Sequence, residues 1–418
     1  MSLRRLYGPL VRILCVAGGL VALSATLALG TAPEDVVQVS ENGNSDYPAR
    51  RAVTAVTASG QQLVVWQQED YGKSELWGRV VDKNGVVLGE PFPVSRPHTY
   101  SLNPAVAVRG RRNEFLVAWE EWFADGGVNG RRVVVRRFGG NGSPLDEGFV
   151  LANGGKEPAL AYGGRRKEFV VVWSGSERGH VAEVHGARLP AGTTSTPEPF
   201  RIARGDSTDF YFTNASLAFD SRTGRYLVGW EEVYTRAEFT ITESDAFVRT
   251  LPANPGERLG RIHRLSRSKE DPSGYPNLIY NRKKREYLAL FSGTHLRRVN
   301  AEGRPYGREL AEGYRRDTGV HNVRLEDVSA RPQGGYVVLF EGRYVIEGDP
   351  NLYARRVSSK LELRNGTELV AERAVGYDGS LAYSREQART RAMWLQVTSD
   401  VPRDGSGYIG WEIWTKGL

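Results

Sequence analysis

The stretch GGRRKEFVVVW at Gly163–Trp173 resembles RGRRNEFLVAW at Arg109–Trp119, which lies fifty-four residues earlier in the chain. Each stretch begins with basic, turn-forming residues and continues into a run of β-branched and aromatic residues that ends in Trp. Such runs favour β-strands, and the polar residues before them favour a hairpin. The duplication therefore predicts a repeated β unit, and further copies decide the fold.

Further copies of this pattern cover most of the chain. They lie at 51–66, 104–119, 158–173, 215–230 and 276–291, with degenerate copies at 325–340 and 379–394. Each copy combines a short apolar strand, a polar turn and a stronger second strand. A variable loop then leads to a third strand such as RVVVRRF (132–138), and a turn leads to a fourth such as FRIAR (200–204). Four strands in roughly fifty residues are typical of a β-propeller blade.

The two ends of the repeat region are complementary. The seventh copy ends after its third strand, YIGWEIWT (408–415), while DVVQVS (35–40) provides a fourth strand without a unit of its own. We therefore expect an all-β fold, a seven-bladed β-propeller of four-stranded antiparallel blades, closed by the N-terminal strand joining the last blade. Closure would remove exposed sheet edges. The alternative is a solenoid, which would need capping ends.

The repeats resemble those of bacterial exported β-propeller proteins, in which P-x-V-A strands alternate with YLVVW-type strands. The resemblance covers nearly all of the chain after residue 30 and implies the fold. It implies no activity, because propellers support many unrelated functions. The chain lacks the Ser-x-Asp-x-Gly-x-Thr-Trp box of sialidase-like propellers and the Gly-His to Trp-Asp spacing of WD repeats, so no catalytic residue is carried over.

The first thirty residues have the character of an export signal. A basic start is followed by an apolar run and small residues, which predicts a signal peptide at 1–30 and a single propeller domain at 31–418. An uncleaved membrane anchor is the alternative, since about 17 apolar residues are just enough to span a bilayer. Cys15, the only cysteine, follows Leu14 inside the apolar run, which argues against lipidation. We expect a periplasmic, cell-surface or extracellular protein without disulfides.

The basic residues concentrate in the turns between first and second strands. The formal net charge is +7, and three arginines of the first thirty residues account for part of it, which leaves +4 and argues against nucleic acid as a partner. The turn residues are Arg109, Arg111, Arg112, Arg165, Arg166, Lys167, Arg222, Arg225, Arg282, Lys283, Lys284, Arg285, Arg385, Arg389 and Arg391. In a propeller these turns share one face. That face could dock weakly to an anionic surface, or its charges could simply keep the hairpins soluble.

The opposite face, with its longer and more variable loops, is the expected ligand face. The residues just before the inner strands should surround the central channel: Arg50, Asn103, Glu157, Asn214, Tyr275, Arg324 and Asp378. All of these except Arg50 are ligand-binding candidates, together with Glu120 and Trp122 in the loop after a second strand. Their polarity suits a small polar pocket, although strand-entry positions are also hydrated in general.

The expected function is a monomeric exported scaffold that binds a protein or glycan, without catalysis, cofactor or metal. The alternative is a polysaccharide-active hydrolase or lyase with a carboxylate pair at the channel mouth. The carboxylates available for it are Glu120, Glu121, Glu157, Glu231, Glu232 and Asp378. His180 and His185 would point to opposite sides of one strand, which argues against a metal site there.

Overall fold

The structure is a computed structural model that describes most of the chain after residue 35. The described residues are 36–40, 49–70, 73–125, 128–175, 181–193, 196–207, 209–234, 243–266, 274–292, 295–310, 321–343, 351–371, 374–384, 389–397 and 411–418. The predicted signal peptide at 1–30 lies outside them. No helix in these ranges is long and apolar enough to cross a membrane.

The described chain is all-β and is organised in four-stranded antiparallel units. Unit I contains β2 (Ala49–Val56), β3 (Gln62–Asp70), β4 (Lys73–Val81) and β5 (Val87–Pro93). Unit II contains β6 (Tyr100–Arg109), β7 (Glu114–Asp125), β8 (Val128–Gly139) and β9 (Phe149–Asn153). Unit III contains β10 (Lys156–Gly163), β11 (Glu168–Ser174), β12 (Glu183–Pro190) and β13 (Phe200–Arg204). Unit IV contains β14 (Phe210–Phe219), β15 (Tyr226–Tyr234), β16 (Glu243–Leu251) and β17 (Ile262–Arg264).

Three further units complete the described part of the chain. Unit V contains β18 (Asn277–Asn281), β19 (Glu286–Phe291), β20 (His295–Val299) and β21 (Pro305–Leu310). Unit VI contains β22 (His321–Ala330), β23 (Tyr336–Arg343), β24 (Asn351–Val357) and β25 (Leu363–Ala371). Unit VII contains β26 (Ala374–Ser384), β27 (Arg389–Val397), β28 (Trp411–Gly417) and the N-terminal β1 (Val36–Gln38).

Strands pair in chain order within units I–VI, and unit VII has the order β26-β27-β28-β1. Units I and II are joined by a single parallel pairing of Ser74 with Tyr100, whereas the other units are separate sheets. The first strands of successive units lie side by side along the chain, and β26 lies beside β2. A turn of 3₁₀-helix at Gly110–Arg112 links β6 to β7.

Hydrophobic clusters fill the spaces between neighbouring units. The aromatic residues that end the second strands lie in these clusters: Trp66, Trp119, Trp173, Trp230, Phe291 and Phe340. All six are almost fully buried, and each packs against residues of the preceding unit in the structure. These aromatic side chains therefore pack between units. Each such side chain contributes about 1.5–3 kcal/mol of burial free energy.

Arginines of the third strands add polar links between units. Arg79 Nη1 donates to the Val39 carbonyl at 3.0 Å, and Arg136 Nη1 donates to the Val94 carbonyl at 3.1 Å. Arg249 makes the same kind of bond to Ile202 at 2.5 Å. Val39 follows β1 as Val94 follows β5, so the N-terminal segment occupies the position of a fourth strand in unit VII.

The structure adds features that the repeat pattern did not predict. The fourth strands of units V and VI, β21 and β25, lack a continuous apolar run, and the repeat pattern does not predict them. Most first strands contain a bulge, for example between Leu102 and Ala105, where two residues lie opposite one position of the second strand. A bulge bends its strand locally.

Candidate functional site

The residues predicted at the inner-strand entrances share an unusual backbone conformation. Asn103, Glu157, Asn214 and Tyr275 have φ of 53°, 50°, 52° and 54°. Non-glycine residues rarely adopt this left-handed conformation, so its repetition marks a shared structural requirement. In unit I the equivalent residue is Arg51, with φ of 47°, rather than Arg50, because the first hairpin of that unit is one residue shorter.

A series of carboxylates connects these positions from unit to unit. Glu120 Oε2 of unit II accepts hydrogen bonds from Asn103 Nδ2 at 2.9 Å and from the Glu157 amide N of unit III at 3.2 Å. The Glu157 carboxylate in turn accepts from the Asn214 amide N of unit IV at 2.6 Å, and also from the Thr213 hydroxyl. Glu157 and Asn214 thus each present their backbone N–H to a carboxylate of the unit before.

The series continues toward unit VII. Glu231 Oε2 accepts from Asn214 Nδ2 at 2.5 Å and from the Tyr275 amide N of unit V at 3.3 Å. Asn277 Nδ2 of unit V donates to Asp327 Oδ1 of unit VI at 2.7 Å. Asp327 Oδ2 accepts from the Leu381 amide N of unit VII at 2.6 Å. We call this network, from Asn103 to Leu381, the carboxylate chain.

Several of the polar residues predicted to bind a ligand are instead hydrogen-bonded within the carboxylate chain. Glu120 and Glu231 are buried, and in each the Oε2 atom accepts hydrogen bonds from donors of two units. Burial raises the pKa of Asp327 to about 6, although its hydrogen bonds to Leu381, Val328 and Asn277 oppose the shift. The arrangement suits cohesion between units, because a buried acceptor that loses its donors is costly.

For two predicted site residues, Arg324 and Asp378, the structure describes only the backbone. Arg324 pairs with Glu341 in β22–β23, and Asp378 lies within β26 at a register shift between Val375 and Ser380. Both therefore lie within the first strand of a unit rather than just before it. Their side chains are outside the described part of the structure.

Trp122 lies in an exposed aromatic strip at the loop-rich end of unit II. It pairs across the strands with Tyr100, their rings 5.6 Å apart at 61°, and the two residues are 43% and 39% exposed. The Arg131 guanidinium lies 4.3 Å from the Trp122 ring centroid, and Trp122 Nε1 donates to Glu120 Oε1 at 2.7 Å. The ring is thus held in place while much of its edge and face stays accessible. Tyr100 and Arg131 were not among the predicted residues.

A groove continues this strip between units II and III. The Gly154 amide N donates to the Arg131 carbonyl at 2.7 Å, which places the end of β9 next to the strip. The groove has a volume of about 590 Å³. Its lining includes Asn153, Gly154, Trp173, Glu183, His185 and Arg204. His185 Nε2 lies 2.9 Å from Glu183 Oε2, and Arg204 Nε lies 3.6 Å from Glu183 Oε1.

Tyr275 is the most exposed of the predicted site residues. Its side chain is 69% exposed, while its backbone N–H belongs to the carboxylate chain. Tyr211 lies nearby, with Lys156 Nζ 5.0 Å from its ring centroid. Burial, together with Glu231, Glu157 and Tyr275, raises the pKa of Tyr211. The phenol therefore stays protonated at neutral pH and can donate a hydrogen bond.

Metal binding has no support among the described residues, which contain no group of three or more His, Cys, Asp or Glu side chains that could hold an ion. His180 lies outside this part of the chain. One carboxylate pair does stand out: Glu232 and Asp245 lie directly opposite each other on β15 and β16. Burial raises the pKa of Glu232, against a hydrogen bond from Tyr234, and the Asp245 charge adds to the rise.

The sequence matches no protein-family model and is not significantly similar to any curated protein. A Dyadobacter fermentans protein of unknown function is similar in structure, with a TM-score of 0.52 and 10% identity, over 92% of this chain and 97% of the other. The structure of the Dos1 propeller matches 84% of this chain and 74% of its own, with a TM-score of 0.43 and 11% identity. A Hadza microbial sialidase matches 88% of this chain and 65% of its own, with a TM-score of 0.45 and 11% identity.

These likenesses concern the fold alone. The repeated units of four antiparallel strands confirm that the chain resembles β-propeller repeat proteins.

Proposed function

We propose that the chain is an exported seven-bladed propeller whose loop-rich face binds a glycan along the strip and groove of units II and III. Units I–VII would be the blades, with β1 completing the last blade and closing the ring. The clusters between successive units, including the one that joins unit VII to unit I around Val39 and Met393, support closure. Export rests on the basic and apolar character of residues 1–30.

The observation that carries the ligand proposal is the exposed pair of Tyr100 and Trp122 beside a polar groove. Flat aromatic rings bind the apolar faces of sugar rings, and the groove offers donors and acceptors for hydroxyl groups. Arg131 and Glu120 hold the Trp122 ring in one orientation before a ligand arrives. Such preorganisation lowers the entropic cost of binding. A protein ligand could use the same strip, because Trp, Tyr and Arg dominate binding hot spots.

A glycan array with the full-length protein tests this function, followed by titration calorimetry with the best glycan. Trp122→Ala removes the ring and should weaken binding by about 2 kcal/mol, the loss typical of an aromatic hot spot. Trp122→Phe keeps a ring and should bind with intermediate affinity. Tyr275→Ala, on a more exposed aromatic residue of unit V, is the control and should bind normally. If Tyr275→Ala abolishes binding and Trp122→Ala does not, the ligand occupies the channel mouth instead.

The Glu232–Asp245 pair favours one second candidate, polysaccharide hydrolysis. Directly opposite residues on antiparallel strands have β-carbons about 4.5–5.5 Å apart, which suits two cooperating carboxyl groups. A raised pKa is what a general acid needs, and Glu232 has one. Arg264 holds Asp245 in an ion pair, which favours a structural role for that carboxylate. Reducing-sugar release from any array-positive polysaccharide, abolished in Glu232→Gln, would establish this function.

A further inference from the structure

The face opposite the loops carries a concentration of exposed cations. The hairpins that join first to second strands expose Arg112 in unit II, Arg165, Arg166 and Lys167 in unit III, Arg222 and Arg225 in unit IV, and Arg282, Lys283, Lys284 and Arg285 in unit V. No acidic residue lies within the tip at 282–285, and the next residue, Glu286, is buried against the Tyr306 and Tyr336 hydroxyls.

Contacts between neighbouring hairpins show that they share this face. Arg165 Nη1 donates to the Arg222 and Thr223 carbonyls of the next hairpin, both at 3.1 Å. In unit V the Lys283 side chain lies within 4 Å of the β-carbon position of Gly334 in the hairpin of unit VI. The cations are therefore presented together on one side of the molecule, where their attraction for an anionic surface adds up.

Exposed aliphatic side chains lie on the same face. Val86, Leu145 and Ile262 are among the most exposed large hydrophobic residues of the described chain. Val86 and Leu145 lie in the turns between third and fourth strands, and Ile262 begins a fourth strand. These turns are at the same end of each sheet as the basic hairpins, because the strands alternate in direction. The exposed aromatic residues Tyr100, Trp122 and Tyr275 are at the opposite end.

The chain also enters unit VII at the hairpin end. The hairpin between β26 and β27 is closed by the pairing of Ser384 with Arg389. Val36, the first residue of β1, pairs with Lys416 of β28, and Lys416 in turn pairs with Ala392 of β27. Ala392 is three residues after Arg389, so β1 begins close to the hairpin.

We propose that the hairpin face docks onto an anionic phospholipid bilayer, with its arginines and lysines among the head groups and its aliphatic side chains at the interface. Cations supply attraction to anionic lipids, and exposed aliphatic residues add salt-resistant affinity. A linear polyanion would use the cations but would gain nothing from Val86, Leu145 and Ile262. The loop-rich face then points away from the membrane. This orientation does not depend on what the loop-rich face binds.

Co-sedimentation of the full-length protein with vesicles tests the proposal. Vesicles of phosphatidylcholine alone are compared with vesicles containing phosphatidylglycerol, at low and high salt. All variants share residues 1–30, so the comparison between variants isolates the hairpin face. The test variant is Arg282→Gln, Lys283→Gln, Lys284→Gln. The control variant, with the same charge change on the loop-rich face, is Arg51→Gln, Lys73→Gln, Arg96→Gln.

Each cation near an anionic membrane contributes about fivefold in partitioning, so the test variant should bind anionic vesicles about a hundredfold more weakly at low salt. The control variant should bind like the wild type, and high salt should remove most of the difference. Leu145→Ser should lower the binding that persists at high salt. Equal binding of the two triple variants would overturn the proposal. So would competition by dextran sulfate without any preference for phosphatidylglycerol, which would identify a polyanion as the partner.

Thermal melting of each variant shows whether it is folded. The substituted side chains are exposed, so normal melting is expected. Should the triple variant misfold, the single variants Lys283→Glu and Lys73→Glu repeat the comparison. Weaker binding of Lys283→Glu alone would support the proposal, and equal binding of the two would overturn it.

Discussion

The variant Asp327→Asn removes the ionisable group at the point where three units meet. Asp327 of unit VI accepts hydrogen bonds from Asn277 of unit V at 2.7 Å and from the Leu381 amide of unit VII at 2.6 Å. Its own neighbour Val328 also donates to it at 2.7 Å. Desolvation of this carboxylate is the main reason that its pKa is raised from 3.8 to about 6.

The size of the expected change in the free energy of unfolding follows from this rise in pKa. A difference of about two pKa units corresponds to about 3 kcal/mol, at 1.36 kcal/mol per unit. Because the folded pKa is higher than the unfolded one, the folded protein binds the proton more tightly than the unfolded chain. The wild type therefore gains up to about 3 kcal/mol as pH falls from about 6 to about 4, and this stabilisation is absent above pH 6.

Urea unfolding of both proteins across this pH range is the assay. The other ionisable groups are shared, so the difference between the two free energies of unfolding isolates Asp327. Between about pH 6 and about pH 4, we expect the free energy of unfolding of the wild type to rise by about 3 kcal/mol relative to that of Asp327→Asn. Asp206→Asn, at an exposed position, controls for the substitution itself. Parallel pH profiles of wild type and Asp327→Asn would refute the reasoning, because they would mean that the carboxylate is not desolvated by folding.

Three more substitutions test the packing and the links between units, each by urea or thermal unfolding. Trp119→Ala should cost about 3–5 kcal/mol because it opens a cavity between units I and II, while Trp122→Ala, on an exposed ring, should cost much less. Glu120→Ala should cost about 2–4 kcal/mol because it leaves donors of two units without an acceptor, whereas exposed Glu147→Ala should change stability by less than about 0.5 kcal/mol. Val39→Asp should destabilise the protein by several kcal/mol, because it would bury a charge. It should also promote aggregation, because it would loosen β1 from β28 and expose a sheet edge. Unchanged stability would contradict closure through the N-terminal strand.

The strand pattern was predictable because it depends on local properties. FLVAW (115–119) and FVVVW (169–173) are apolar throughout, which is typical of strands buried on both faces. The structure places β7 and β11 between neighbouring units. Trp119 and Trp173 can be assigned to packing because they recur at a fixed spacing. The strands β21 and β25 have no such continuous apolar run, so their formation depends on the pairing partner that the rest of the unit provides.

The sequence predicts the approximate position of several members of the carboxylate chain, but not the hydrogen bonds between them. The sequence predicts Glu120, Glu157 and Glu231 near the channel mouth, but not Asp327. The bonded partners are distant in the chain: Glu120 bonds to residue 157, and Asp327 bonds to residue 381. A repeat pattern shows which residues are equivalent, but not which equivalent residues contact each other across units. The repeated Trp-Glu-Glu at 119–121 and 230–232 does carry a signal, since its first Glu supplies the acceptor in units II and IV.

The left-handed positions explain why such different side chains occupy equivalent sites. Glu157, Asn214 and Tyr275 share nearly the same φ, and each donates its backbone N–H to the carboxylate of the preceding unit. What the fold requires at this position is therefore the direction of an N–H group, which any residue except proline can supply. The side chain remains free to serve another purpose, and exposed Tyr275 shows that it need not join the network. Cohesion at the channel mouth thus depends on the backbone and a few buried carboxylates, while the variable side chains and loops around them can change to suit a ligand without loosening the units.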